Sequence, residues 1–127
     1  MGMGLVVDYA GVLTDPGAGE LFEAIKALRN RGVRTALLSN APGGGTVTTV
    51  LARYFDELVF SGEVGVAKPD ARVYLLTAAR LGVPVEACVF VDDSRPNVAG
   101  AVAAGMVGVH HTTVPGTLAE LSVLFSA

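Results

Sequence analysis

The chain has 127 residues, of which 51% are apolar and 17% are charged, with one cysteine and a net charge of −3. This length predicts a single domain over residues 1–127, which can bury roughly 65% of its unfolded surface without a disulfide or a structural metal. One cysteine excludes a disulfide framework and a cysteine-based zinc cluster. The acidic balance provides no basic surface for nucleic acid or for an anionic membrane.

The N-terminal residues do not resemble a targeting segment. Asp8 interrupts the apolar run over residues 4–7, and no basic residue precedes that run. No apolar stretch reaches the roughly 20 residues that a membrane span needs. We therefore expect a cytoplasmic protein with no membrane partner.

Five short apolar runs recur along the chain and predict β-strands. They are too short for helices and too continuous for strands with one wet face, so both faces of each strand are expected to be buried. The runs cover residues 5–7, 35–38, 58–60, 89–91 and 106–109. Glycines 43–45 are predicted as a loop after the second strand.

Amphipathic patterns between these runs predict helices over residues 20–31, 71–81 and 96–104, each followed by a glycine. Asp70 is predicted to cap the second helix. A last helix is predicted at the C-terminus, where Thr117 and Glu120 have the spacing of a capping box. Strands that alternate with helices predict a three-layer α/β sandwich with a mostly parallel, Rossmann-like sheet.

Polar side chains follow several of the predicted strands. Ligands of an open parallel sheet bind outside the carboxyl ends of its strands, so these side chains indicate where a site would lie. They are Asp8 after the first strand, Ser39 and Asn40 after the second, Lys68 after the third, and Asp92 and Asp93 after the fourth. Three carboxylates, a hydroxyl and an ammonium group are therefore expected to converge at one edge of the sheet.

Four segments that contain these residues resemble, in order and spacing, the four motifs of the haloacid dehalogenase-like hydrolases. The segments are residues 8–13 (DYAGVL), 37–40 (LLSN), 68–69 (KP) and 91–94 (VDDS). Any one segment would be weak evidence for the family, but the combination of four is specific to it and spans residues 5–97. The resemblance is to small members of the family without a cap domain, because the segments that connect the motifs are too short to hold one.

The resemblance implies a role for each matching residue. Asp8 would be the nucleophile that forms an aspartyl-phosphate. Lys68 would offset negative charge on Asp8 and on the phosphate. Ser39 and the backbone N–H of Asn40 would hold phosphate oxygens.

The resemblance also implies a magnesium site. Mg²⁺ binds oxygen ligands and keeps several waters. Its ligands would be Asp8, Asp93 and the backbone carbonyl of Ala10, with Asp92 acting directly or through water and Asn97 holding a metal-bound water. The implied function is magnesium-dependent hydrolysis of a phosphorylated small molecule or macromolecule.

Ala10 departs from the family pattern, because most phosphatases of the family carry a second aspartate there as general acid and base. Such help is worth roughly 10²–10⁴ in rate, so slow or absent phosphomonoester hydrolysis is expected. The alternative is a non-catalytic phosphate- or metal-binding interaction domain derived from the family. A 2-haloacid dehalogenase fits less well, since those enzymes have a large cap and lack an acidic pair like Asp92–Asp93.

The missing cap predicts a site that is open to solvent, and an open apolar edge favours a homodimer.

Four residues near the site have no assigned role. His110 and His111 follow the fifth strand, where a surface turn is favoured over a contact with substrate. Tyr9 and Asp15 lie shortly after the first strand, and neither pattern nor resemblance gives them a function.

Overall fold

The structure is a computed structural model that describes residues 2–43 and 45–126. In this part of the chain, five strands form one sheet in the order β3-β2-β1-β4-β5, and all neighbouring strands are parallel. The strands are β1 (Gly4–Val7), β2 (Arg34–Ser39), β3 (Glu57–Phe60), β4 (Cys88–Asp92) and β5 (Val107–His110). The five predicted strands are therefore confirmed, with shifts of one residue at their ends.

Among the described residues, six α-helices connect and cover the strands. They are α1 (Ala18–Asn30), α2 (Thr46–Leu51), α3 (Ser61–Val64), α4 (Ala71–Leu81), α5 (Arg95–Ala104) and α6 (Val114–Leu124). A wide helical turn over Tyr9–Leu13 follows β1, and a 3-10 turn over Val85–Ala87 precedes β4. The loop predicted at residues 43–45 includes Gly44, which lies outside the described residues.

The sheet separates two apolar layers, because successive strand residues point to opposite faces. On one face, Leu5 and Val7 of β1 pack with apolar residues of α1 and α6. On the other face, Val6 packs with apolar residues of α4 and α5. Both faces are covered, as predicted, and the fold is a three-layer α/β sandwich.

The helix boundaries confirm two of the sequence signals and correct a third. Asp70 caps α4 and accepts a hydrogen bond from the Arg72 N–H, and Gly82 ends that helix in the left-handed conformation. The capping box at Thr117 and Glu120 is wrong, because α6 begins at Val114. Its cap is Thr113, whose side chain accepts from the Gly116 N–H.

No cap domain interrupts the described part of the chain between the predicted motifs. Only the turn after β1 and helix α1 lie between β1 and β2, and only α2, β3 and α3 lie between β2 and the loop before α4. Within residues 2–43 and 45–126, none of the helices has the length and apolar character required to cross a membrane.

Candidate active site

The carboxyl ends of β1, β2 and β4 meet at one edge of the sheet, on either side of the central strand β1. Asp8 directly follows β1, and its backbone N–H continues the pairing with β4 through a 3.0 Å hydrogen bond to the Val91 carbonyl. Ser39 ends β2 and Asp92 ends β4. The strand order reverses at β1, because β2 and β3 lie on one side of it and the later strands β4 and β5 lie on the other. Ligand sites of open α/β sheets lie at such a reversal.

Lys68 joins these three strand ends. Its ammonium group is buried and donates to Asp8 Oδ1 at 2.7 Å and to Asp92 Oδ2 at 3.0 Å. The third acceptor is the Leu38 carbonyl at 2.9 Å. An ammonium group has three protons, so all of its donors are used inside the protein. Lys68 therefore presents its charge, and not a free N–H, to anything bound at this edge.

The backbone of Lys68 is held by the side chain of Asn40. The Asn40 amide accepts from the Lys68 N–H at 3.0 Å and donates to the Lys68 carbonyl at 3.1 Å. Sequence reasoning gave Asn40 a role only through its backbone and missed this contact, which spans a separation of 28 residues. Ser39 is buried next to it, and its hydroxyl has no hydrogen bond to the described residues.

Asp92 is fully buried and accepts three hydrogen bonds. Oδ1 accepts from the Ser94 N–H at 2.9 Å, and Oδ2 accepts from Lys68 and from the Asn97 amide at 3.1 Å. Burial alone would raise the pKa of Asp92, but these donors and the Lys68 charge hold it below its usual value. Asp92 is therefore an anion. The Asn97 amide, expected to hold a water, contacts Asp92 directly.

Asp8 and Asp93 carry negative charge that is less well compensated. Burial raises the pKa of Asp8 to about 6, and the Lys68 ammonium offsets only part of that effect. Asp93 is exposed, and partial burial of its carboxyl together with the neighbouring Asp92 raises its pKa. One carboxylate oxygen from each of the three aspartates lies within 4.8 Å of the others.

This donor set fits a hard divalent cation. Three carboxylates converge with one ammonium group, so the cluster has an excess of negative charge. Its donors are oxygens, which Mg²⁺ prefers. Burial is the main cause of the raised pKa of Asp8, and a cation bound at this position would lower that pKa by favouring the carboxylate over the acid.

The turn after β1 brings its backbone against Asp93. Gly11 has a φ of +84°, and the Asp93 carboxylate occupies the place where a Cβ would stand. A side chain at position 11 would therefore displace Asp93 as well as strain the backbone. Ala10 is exposed in the extended part of the same turn, with φ −68° and ψ 129°.

His110 is the last residue of β5 and His111 follows it, and the two histidines differ from the predicted surface turn. His111 is 3% exposed, so the surface interpretation is wrong for it. Its Nδ1 lies 2.6 Å from Thr117 Oγ1 and its Nε2 lies 3.3 Å from Asp15 Oδ2. His110 Nε2 lies 2.9 Å from the Asp93 carbonyl. No local pattern marks His111 as buried, and one of its two partners, Asp15, is 96 positions away in the sequence.

The three-layer sandwich and the cluster at its carboxyl edge define an α/β domain with a candidate nucleophile and a candidate metal site. A sequence model described as haloacid dehalogenase-like hydrolase matches residues 4–105. The chain therefore belongs to the haloacid dehalogenase-like hydrolase family, and the resemblance found in its motifs is confirmed.

Two curated relatives and one solved structure illustrate the similarity. The chain is 34% identical over 109 residues to the phosphorylated carbohydrates phosphatase of Thermotoga maritima, covering 80% of this chain and 49% of that protein. It is 37% identical over 86 residues to the phosphoserine phosphatase of Thermus thermophilus, covering 64% and 34%. An uncharacterized protein of Corynebacterium glutamicum, solved by crystallography, has a TM-score of 0.88 and 38% identity over 96% of this chain and 93% of its own.

The chain spans about half or less of the length of these curated relatives. Both relatives therefore have further sequence outside the matching region. The similarity to the Corynebacterium protein, in contrast, extends over nearly all of both chains.

Proposed function

We propose that the protein is a magnesium-dependent hydrolase that acts on a phosphorylated substrate through Asp8. The observation that carries the proposal is the cluster itself. One buried ammonium group holds Asp8 and Asp92, and the Asp93 carboxylate lies close enough to share a cation with them. The names of the two bacterial relatives, both phosphatases, support a phosphorylated substrate.

In the proposed reaction, an Asp8 carboxylate oxygen attacks phosphorus while the bond to the leaving oxygen breaks. The resulting aspartyl-phosphate is then hydrolysed by water, which restores Asp8. The 2.7 Å hydrogen bond from Lys68 orients the attacking carboxylate. The Ser39 hydroxyl, which has no hydrogen bond to the described residues, and the Asn40 N–H are the proposed donors to phosphate oxygens.

Asp8, Asp93 and the Ala10 carbonyl are the proposed Mg²⁺ ligands, with Asp92 acting directly or through water. When bound, the metal would supply charge that offsets the carboxylates and the phosphate. The protein's own contribution is to hold the ligands. Lys68, Ser94 and Asn97 fix Asp92, and Gly11 leaves room for Asp93.

Ala10 limits which substrates react quickly. The leaving oxygen needs a proton, and Ala10 has no group that can donate one. Substrates with a good leaving group, such as aryl phosphates, are therefore expected to react faster than alkyl phosphates. Because the described residues contain no cap over the site, both small molecules and exposed phosphates on macromolecules remain candidate substrates.

Ala10 also favours a second hypothesis, a non-catalytic domain that binds phosphate and metal. The discriminating experiment measures phosphate release from a panel of phosphorylated metabolites and from nitrophenyl phosphate, with Mg²⁺ and with a chelator. Turnover should need Mg²⁺ and should be abolished by Asp8→Asn. The matched control is Asp56→Asn, at an aspartate that precedes β3 at the opposite edge of the sheet.

Absence of turnover, together with Mg²⁺-dependent binding of inorganic phosphate, would support the non-catalytic hypothesis. Turnover retained in Asp8→Asn would contradict the proposed nucleophile.

We also propose that residues 1–127 work as a single core domain. The cytoplasmic location and the homodimer stay predictions, which cell fractionation and sedimentation would test.

A further inference from the structure

His111 lies beside the proposed metal site without belonging to it. Its backbone N–H donates to the Asp92 carbonyl at 2.8 Å, which continues the pairing of β5 with β4. This register puts the imidazole in the interior, where it is 3% exposed. A buried imidazole needs partners for both ring nitrogens, since an unsatisfied polar group in the interior is costly.

Both ring nitrogens of His111 have such partners. The Asp15 carboxylate can only accept, so Nε2 carries the proton and donates to it. In the neutral ring, Nδ1 then accepts from the Thr117 hydroxyl, 2.6 Å away. Thr117 is 2% exposed and lies in α6, so this hydrogen bond ties the imidazole to a buried residue of a helix.

Asp15, on the other side, belongs to the loop that follows the turn after β1. Its Oδ1 accepts from the Gly17 N–H at 2.9 Å, and its carbonyl accepts from the Ala18 N–H at 2.9 Å. The contact with His111 therefore fastens the start of α1 to the end of β5. It joins residues that are 96 positions apart.

The same loop is bonded to the turn itself. The Gly11 N–H donates to Thr14 Oγ1 at 2.8 Å, and Thr14 is the neighbour of Asp15. Gly11 in turn lies against the Asp93 carboxylate. A continuous series of contacts thus runs from His111 through Asp15 and its neighbour to the backbone beside Asp93.

We propose that His111 is a positioning residue that acts through Asp15 to hold the turn over Tyr9–Leu13 against Asp93. This inference rests on the proposed function, because the turn and Asp93 supply proposed metal ligands. Groups that orient metal ligands from outside the ligand shell commonly change metal affinity by about 10- to 100-fold when removed. His111 itself touches neither the substrate nor the metal in this proposal.

Two substitutions break the contact from opposite sides. His111→Phe removes both hydrogen bonds and keeps a ring of similar size in the interior. Asp15→Ser removes the partner of His111 at a half-exposed position and keeps a side-chain acceptor for the Gly17 N–H. Should His111→Phe fail to fold, Asp15→Ser still tests the contact. The matched control is Thr77→Val, at a buried threonine that donates to the Val73 carbonyl within α4.

The first measurement needs no metal. The order parameters of the backbone amides over residues 9–15, measured by NMR relaxation, should fall from the rigid value of about 0.85 in both variants. They should stay unchanged in Thr77→Val. The second measurement is Mg²⁺ binding by calorimetry in the presence of inorganic phosphate, where both variants should bind about tenfold more weakly than the wild type.

The double variant should bind Mg²⁺ no more weakly than the weaker single variant, because both substitutions remove the same contact between His111 and Asp15. Wild-type order parameters and Mg²⁺ affinity in a folded single variant would overturn the inference, as would additive losses in the double variant. A role in stability alone would lower the unfolding temperature and leave both measurements unchanged. A wild-type protein that binds no Mg²⁺ would refute the proposed metal site, and the order parameters would still decide the role of His111.

Discussion

At the scale of single residues, the candidate site depends on how the ammonium group of Lys68 is shared between two carboxylates and a carbonyl. Lys68 is buried and donates to two carboxylates and one carbonyl, while the matching anions Asp8 and Asp92 are buried beside it. Removal of one partner from a buried ion pair leaves a charge without compensation, which costs more than the pair contributes. The ammonium group therefore has a structural role as well as the proposed catalytic one.

We expect Lys68→Met to lower the free energy of unfolding by about 3–5 kcal/mol, because Asp8 and Asp92 lose their buried counter-charge. Urea unfolding at neutral pH measures the effect. The control is Lys26→Met at the other lysine of the chain, which is exposed in α1 and should change stability by less than about 0.5 kcal/mol. Equal stabilities of the two variants would show that Lys68 does not compensate the carboxylates.

The exposed position of Ala10 allows the missing acid to be restored. We expect Ala10→Asp to increase the hydrolysis of an alkyl phosphate by at least about tenfold, because its poor leaving group needs a proton. The gain should be smaller for nitrophenyl phosphate, whose leaving group departs with little help. Phosphate release on both substrates is the measurement. Equal gains on both would mean that the new side chain acts other than as a proton donor.

At the scale of elements, the turn over Tyr9–Leu13 connects the sheet to the site. A single glycine allows its shape, because Gly11 has a positive φ and packs against the Asp93 carboxylate. Gly19 provides a contrast, since it lies within α1 and has open space around it. The two glycines therefore respond in opposite ways to an added methyl group.

We expect Gly11→Ala to cost about 1–3 kcal/mol of stability, since alanine strains at this φ. Mg²⁺ binding should weaken at the same time, because the new Cβ displaces Asp93. Gly19→Ala should instead stabilise the protein by about 0.5–1 kcal/mol through its better helix propensity. Urea unfolding and calorimetry on both variants check this prediction, and unchanged Mg²⁺ binding in folded Gly11→Ala would contradict it.

At the scale of the whole molecule, a second charged cluster joins elements near the opposite edge of the sheet. Asp56, just before β3, accepts from the Thr35 N–H of β2 at 2.9 Å. It also pairs with Arg29 of α1 at 3.0 Å and with Arg34 at 3.6 Å. Partial burial alone would raise the pKa of Asp56, but these donors hold it below its usual value of 3.8.

A carboxyl with a lowered pKa stabilises the fold above its unfolded pKa and loses that effect as the pH falls through its folded pKa. We therefore expect Asp56→Asn to be less stable than the wild type by about 1–3 kcal/mol at neutral pH. The difference should shrink as the pH falls below 3.8 and through the lowered pKa of the folded state, because the wild-type carboxyl then becomes neutral as well. Urea unfolding at several pH values measures the difference, and a constant gap would exclude the ionised carboxyl as its source.

Much of the fold could be predicted because its signals are local. The buried strands are short continuous apolar runs, and the glycines after α4 and α5 end those helices in the left-handed conformation. The order of Asp8, Ser39, Lys68 and Asp92 along the chain was enough to predict a common sheet edge, since parallel strands all end on the same side. The same local signals misplaced the start of α6, because Thr113 caps this helix and Thr117 lies inside it.

The contacts around these residues were decided by the tertiary structure. Sequence alone determined that Lys68 and three aspartates would lie at one edge, but not that the ammonium group would use all its protons there. It left His111 as a surface residue, whereas packing buries it between Asp15 and Thr117. The physical reason is that periodicity and caps depend on residues a few positions apart. The partners of a buried polar group depend on which distant segments the packed sheet brings within hydrogen-bonding distance.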